Sequence, residues 1–313
     1  MDLVDAHHHL WIPERGDPDI GYGWLRDVGA PKPFGDPTPI QRDYEWAEYA
    51  AESHAHRLVG SVHVQTDGAL PDPVAETAWV QSVFECTGLP HAIVGLVDLS
   101  SPGLDATLAA HRRHPAFRGV RQILSRLDAR PELSFAPRHF LREASWRRGY
   151  ATLAAHALSF DLQLYPEQMD EAADFLADHP EVPVIVDHAG SPHDDSPAGI
   201  ALWTHGIARL AALDHVTIKL SGFGMFDAGW SADTVRRRIE TVLGRFGTAR
   251  VLWGSNFPVD RLMASFDHGV AAIATCLDDL GDGPDDDARR AVFADNARRL
   301  YRLGGIEDGE PTR

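Results

Sequence analysis

The chain has 313 residues, with 29 Lys or Arg against 46 Asp or Glu and a formal net charge of −17. At 44% hydrophobic and 24% charged residues it reads as a folded globular protein, which excludes disorder as the main state. The acidic excess argues against nucleic-acid or anionic-membrane partners, because both need a basic patch, and leaves a small molecule as the expected partner.

The amino terminus, Met-Asp-Leu-Val-Asp-Ala, lacks the basic and apolar regions of a secretory signal. No apolar run approaches the ~20 residues that span a bilayer, so a cytoplasmic location is expected. Cys86 and Cys276 lie far apart in no ligand spacing and read as two buried or half-buried thiols.

Short β-branched runs recur along the chain, four to eight residues long and ending at Gly, Pro, Ser or Asp. They predict strands at Leu3–His7, Leu58–Gln65, Ala92–Leu99, Phe117–Leu124, Phe160–Tyr165, Val182–His188, Val216–Ser221 and Arg250–Ser255. Helical stretches are predicted between them at Asp43–His56, Asp72–Thr87, Gly103–His114, Glu143–Leu158, Pro166–Asp178, Ala198–Leu213 and Ala232–Phe246. A last helix is predicted near Asp285–Tyr301, and the acidic stretch Asp278–Asp287 reads as a solvated loop. Eight strand–helix units predict an α/β fold, a (β/α)8 TIM barrel forming a single domain over 1–313. A doubly wound sheet would carry a Gly-rich turn after its first strand; here that strand runs into His-His-His-Leu-Trp. The connection 10–42 holds six prolines and Trp11, Tyr22, Trp24 and Phe34, the profile of a lid or an ordered wrap.

In such a barrel the chemistry is built from the C-terminal ends of the strands. His7 and His9 are spaced i, i+2, so on an extended strand both point into the mouth while His8 points away. His63 and Gln65 repeat that spacing on the second strand. The fourth strand supplies Arg121, the fifth Gln163 and Tyr165, and the sixth ends in Asp187-His188. The seventh offers Lys219 and Ser221, and the eighth Ser255-Asn256, with Asp260 just beyond. Among the seventeen histidines, His7, His9 and His188 converge, and three imidazoles at one mouth are the usual shell for zinc or a similar divalent ion. Arg121 is the candidate for gripping a substrate carboxylate through its guanidinium fork, with a structural ion pair as the competing reading. His63, Gln163, Tyr165 and Trp24 complete the candidate substrate-binding set.

Asp5-Ala6-His7-His8-His9-Leu10-Trp11 resembles the opening motif of the amidohydrolase superfamily, in its branch of fuconolactonase-like and 2-pyrone-4,6-dicarboxylate-lactonase-like hydrolases. Gly119-Val120-Arg121, Val186-Asp187-His188-Ala189-Gly190, Lys219-Leu220-Ser221-Gly222 and Trp253-Gly254-Ser255-Asn256-Phe257-Pro258 agree with it, as does the closing Asn296-Ala297-Arg298-Arg299-Leu300-Tyr301. The resemblance spans nearly the whole chain. It implies a barrel hydrolase that opens a sugar-acid or carboxylate-bearing lactone at His7, His9, His188, Asn256 and Asp260. The wider superfamily includes non-oxidative decarboxylases, which is the alternative activity.

Relatives place an Asp where this chain has Asn256, and an amide cannot act as general base. Three readings follow. A metal on His7, His9 and His188 acidifies its own water; Asp260 reaches back as base; or hydrolysis has been lost and the barrel binds without turnover. Gln163 replaces the residue that builds a two-metal centre in other branches, so at most one divalent metal, zinc first, is expected. A metal-free mechanism and a homo-oligomer are both compatible with the sequence.

Overall fold

The computed structural model describes residues 1–14, 20–279 and 286–304. Eight parallel strands run in chain order: β1 (Asp2–His8), β2 (Arg57–Val64), β3 (Ala92–Leu96), β4 (Phe117–Arg121), β5 (Ser159–Leu162), β6 (Val184–Val186), β7 (Val216–Leu220) and β8 (Val251–Trp253). Each pairs with the next. The ring closes just past β8, where the Asn256 amide donates to the His7 carbonyl and the His9 amide to the Phe257 carbonyl, both at 2.7 Å. This is the expected (β/α)8 barrel.

The helices are α1 (Gly23–Arg26), α2 (Trp46–Ser53), α3 (Pro73–Thr87), α4 (Leu104–His111), α5 (Ala144–Thr152), α6 (Met169–Ala177), α7 (Pro197–Ala211), α8 (Ala232–Phe246) and α9 (Phe266–Asp279). The last three elements, α10 (Asp286–Arg290), a π-turn (Ala291–Asp295) and α11 (Asn296–Leu300), form the closing helix; Asp285, the start expected for it, lies outside the described residues. Helix α9 was not anticipated. Its buried Phe266, Val270, Ile273 and Leu277 recur at helical spacing, and the helix reaches into the stretch read as an acidic loop.

Two apolar layers hold the fold together. Inside the barrel, Val4, Ala6, Val62, Val94, Ile185 and Leu252 pack together, and Ala294, Ala297 and Tyr301 of the closing segment seal one end. Outside, the large apolar cluster fills the space between strands and helices and takes in Trp11, Ile20, Tyr22, Leu25, Phe34 and Ile40. The described parts of 10–42 are therefore an ordered wrap. Gln41 fixes its shape, donating to the Trp24 and Asp27 carbonyls and accepting from the Gly29 amide. Cys276 is buried, but Cys86 is exposed on α3, contrary to the sequence expectation. Among the described residues no helix is long and apolar enough to cross a membrane.

Candidate active site at the barrel mouth

The β1–β2 register shifts between Asp5 and His8, and beyond that shift the three histidines diverge. His8 Nε2 pairs with Ser61 Oγ at 3.0 Å and its ring stacks on Tyr49 of α2. The His7 ring lies 5.1 Å from that of His9 and 4.6 Å from that of His188, which comes from the turn after β6. All three rings have Nδ1 tied to the protein. His9 Nδ1 is 2.7 Å from the Val64 carbonyl, which only an N–H can approach so closely, so its lone pair is on Nε2. His188 Nδ1 is 3.1 Å from Ser221 Oγ, and His7 Nδ1 is 3.2 Å from both Asp187 Oδ1 and Lys219 Nζ. Each Nε2 is left unpaired, and that of His7 is a fully buried polar atom with no partner.

Close packing makes this arrangement possible. A Cβ at Gly222, whose φ is +67°, would fall 2.4 Å from His188 Nδ1, and one at Gly254 would fall 2.7 Å from the His7 Cβ. His188 and Asn256 themselves hold φ at 55°, a left-handed conformation that costs about 1–3 kcal/mol outside glycine and clusters at working sites.

A buried charge network underlies the histidines. Lys219 Nζ reaches Asp161 Oδ2 at 2.5 Å and Asp187 Oδ1 at 3.0 Å, and the Tyr301 hydroxyl donates to Asp161. Burial pushes Asp187 up, but Lys219, His7 and Arg121 outweigh it and hold the carboxyl well below its usual range. Burial raises Asp161 to about 6 against the pull of Lys219. Arg121 Nη1 donates to Asp187 Oδ2 and Gln163 Oε1, both at 3.2 Å, and Nη2 donates to the Gln65 carbonyl at 2.5 Å. The free fork expected for a substrate carboxylate is thus engaged at both ends, and Nε remains, buried and unpartnered.

Above this floor opens a cavity of about 450 Å3, lined by His9, His188, Arg121, Gln163 and Asn256 below and by Trp24 and other aromatic groups above. Three candidate residues lie elsewhere. His63 is buried behind the wall, accepting from the Leu10 amide with Nε2 3.7 Å from Glu76, because Val62 and Val64 face the barrel interior and alternation turns His63 outward, in register with His8. Tyr165 is also buried outside the cavity, its hydroxyl donating to the Leu133 carbonyl and its ring against His193. Asp260 is one layer further back: Asn256 Nδ2 donates to its Oδ1 at 2.9 Å, so Asn256 stands between it and the cavity. Burial raises Asp260 to about 7, opposed by hydrogen bonds from Asn256 and from the Gly224 and Gly222 amides.

Asp5 was visible in the opening motif without a role. It accepts from the Ser255 amide and hydroxyl, the His7 amide and Tyr49, buckling β1 to the segment that carries Asn256.

The profile of the amidohydrolase family matches residues 4–303. The chain belongs to the amidohydrolase family. Among relatives of this amidohydrolase, an uncharacterized protein of Sinorhizobium fredii, y4mH, is 34% identical over 96% of this chain and 98% of its own. An L-fucono-1,5-lactonase of Burkholderia ambifaria is 30% identical over 96% of this chain and 95% of its own. A crystal structure of an amidohydrolase from Burkholderia multivorans with bound zinc superposes with a TM-score of 0.79 at 27% identity, covering 97% of this chain and all of that one.

The site of this amidohydrolase suits a divalent ion. His7, Asp187 and His188 each offer a ligand atom within 4.8 Å of the others, and the orphaned His7 Nε2 is one of the available donors. His9 falls outside that tight cluster and faces the cavity instead.

Burial also sets how the fold responds to acid. It holds His7, His8 and His9 well below 6.5, His188 at about 3 and His111 at about 4. The unfolded chain takes up these protons near pH 6.5 and the folded chain only lower, so the stability they supply is lost as pH falls below 6.5. Asp5 and Asp161 at about 6 and Asp260 at about 7 act oppositely: the folded state keeps their protons longer, and their favourable contribution declines as pH rises through 6–7. Five imidazoles against three carboxyls leave a net loss of stability as pH falls from 6 toward 4. Urea midpoints measured at pH 7.5, 6 and 5 check this, and a midpoint as high at pH 5 as at 7.5 would refute it.

Proposed function

We propose that the protein hydrolyses a lactone or related cyclic ester at this mouth. The observation that carries the reading is the set of three neutral imidazoles whose Nδ1 atoms are held by the protein and whose Nε2 atoms are left unpaired, those of His9 and His188 at the cavity floor and that of His7 buried beside them. A divalent ion held by His7, Asp187 and His188 would supply a Lewis acid for the carbonyl and lower the pKa of a water.

The chain's own groups do the rest. The substrate carbonyl lies against the Gln163 amide nitrogen and the Arg121 guanidinium, donors for the oxyanion that develops in the transition state, while the Nε2 lone pairs of His9 and His188 face the attacking water or the ion. Arg121 Nε donates one hydrogen bond to a substrate oxygen. Asn256, with Nδ2 committed to Asp260, presents Oδ1 as the acceptor that orients the attacking water. The water oxygen bonds to the carbonyl carbon, the ring C–O bond breaks, and the water's proton ends on the released alkoxide, giving a hydroxy acid. Asp260 acts through Asn256 and not as a base in contact with the water.

Ring opening in H2 18O should place one labelled oxygen in the product carboxylate; carbon dioxide release without incorporation would instead mean decarboxylation. Metal analysis of untagged protein is expected to find about one zinc per chain, and chelation should lower the rate at least about tenfold. Full activity in metal-stripped protein would remove the ion from the scheme. Gly222→Ala should displace the His188 ring and lower kcat/KM about 10- to 100-fold, since roughly 1 Å of misplacement costs that much. An effect under threefold would show that the ring is held by other means.

A further inference from the structure

We infer that the ester taken by this site is amphiphilic: its ring carbonyl meets the histidine floor while an aryl or alkyl substituent, and not a set of hydroxyls, fills the upper cavity. This rests on the lactone-hydrolase reading above and names the substrate class for it. The cavity wall is built from Trp11, Trp24, Phe34, Phe135, Phe140 and Met225, drawn from the wrap and from the loops after β4 and β7. Most of the polar residues interleaved with them are already committed. Gln122 accepts from the Leu99 amide and Trp146 Nε1 and donates to Asp98. Ser134 Oγ exchanges both its bonds with Leu127. Asp67 takes backbone amides of Ala69, Trp24 and Gly23. Glu132 pairs with Arg130 and Lys32 lies over the Trp24 ring, while Thr66 Oγ1 is a buried hydroxyl without a partner.

Unpaired polar atoms of the lining are therefore few: Nε2 of His9 and His188, Arg121 Nε, the Gln163 amide nitrogen, Asn256 Oδ1 and Thr66 Oγ1. They suffice for one ester group and one neighbouring oxygen. A polyhydroxylated ring would carry its remaining hydroxyls against indole and phenyl faces, where each hydroxyl buried without a partner weakens binding about 5- to 150-fold. An apolar substituent there gains area burial and ring-face contact instead.

The test is hydrolysis of γ-phenyl-γ-butyrolactone and δ-decalactone against L-fucono-1,5-lactone by the full chain, with zinc supplied. The expected result is a kcat/KM at least about 100-fold higher for the apolar pair. A preference below tenfold, or the reverse preference, overturns the inference while leaving the lactone-hydrolase reading standing.

If no lactone is opened, that reading fails and binding decides the inference. Titration of tryptophan fluorescence with 5-phenyl-2-pyrrolidinone must then saturate at a concentration at least about tenfold lower than a trihydroxylated lactam of equal ring size, and equal or weaker binding overturns it. Phe135→Ser and, independently, Trp24→Ala should each raise KM for the phenyl lactone about tenfold with kcat within threefold. A KM unchanged in both variants overturns the inference, as does a kcat loss common to all substrates.

Discussion

Replacing His188 with alanine is expected to lower kcat/KM for ring opening by about 10^3-fold, the loss falling on kcat. Deleting a positioned group that accepts a proton from the attacking water costs about 10^2–10^4 in rate. His188 adds to this by belonging to the His7–Asp187–His188 cluster, so the same substitution weakens any bound ion. The ring is also costly to place: the backbone holds φ at 55°, Ser221 Oγ takes Nδ1, and Gly222 leaves the room for it. With burial lowering it to about 3, the ring is neutral throughout the working pH range, so its lone pair is available without a pH switch. Steady-state kinetics and zinc content, measured on the same preparation, separate the two contributions. His188→Ala with kcat within tenfold of wild type would show that this ring meets neither the attacking water nor the ion.

Much of the scaffold was legible because strand-length apolar runs and the helical segments between them have different periods, and eight alternations leave few closed arrangements. The i, i+2 spacing of His7 and His9 states which way the side chains face, and their rings do lie 5.1 Å apart. What spacing does not state is the partner of the second ring nitrogen. The Val64 carbonyl, Ser221 and Asp187 come from other strands, and only the closed barrel brings them to those nitrogens. The same limit explains Tyr165 and His63: a residue's place near a strand end does not say whether its side chain enters the mouth or packs behind it, and each found a buried partner outside. Helix α9 was missed for a different reason. Its apolar positions are regular, but the acidic run at 278–287 carries the signature of a loop and masks the helix that leads into it. Asp161 was not legible either, because a carboxylate inside an apolar strand signals nothing until the fold brings Lys219 and Tyr301 beside it.

Removing that lysine is the change with the largest expected effect on stability. Lys219→Met should cost about 3–5 kcal/mol at pH 7.5, because it leaves buried carboxylates without their shared cation. At about 2–4 °C per kcal/mol, the melting temperature should fall by roughly 10 °C. Lys219 stands within 3.0 Å of both Asp161 and Asp187, and all three side chains are fully buried. Arg121 still offsets Asp187 in the variant, but Asp161 keeps only the Tyr301 hydroxyl. The deficit should therefore be traceable to Asp161, and two measurements locate it there. The double variant Lys219→Met/Asp161→Asn should recover more than half of the lost stability, since two residues in one network are not additive. The single variant should also lose less at pH 5 than at pH 7.5. Asp161 already has a folded-state pKa of about 6 beside the cation, and without it the carboxyl holds its proton to still higher pH, so acid neutralises the group left bare. A destabilisation equal at both pH values, with no recovery in the double variant, would mean that Lys219 contributes through packing of its aliphatic stem and not through its charge.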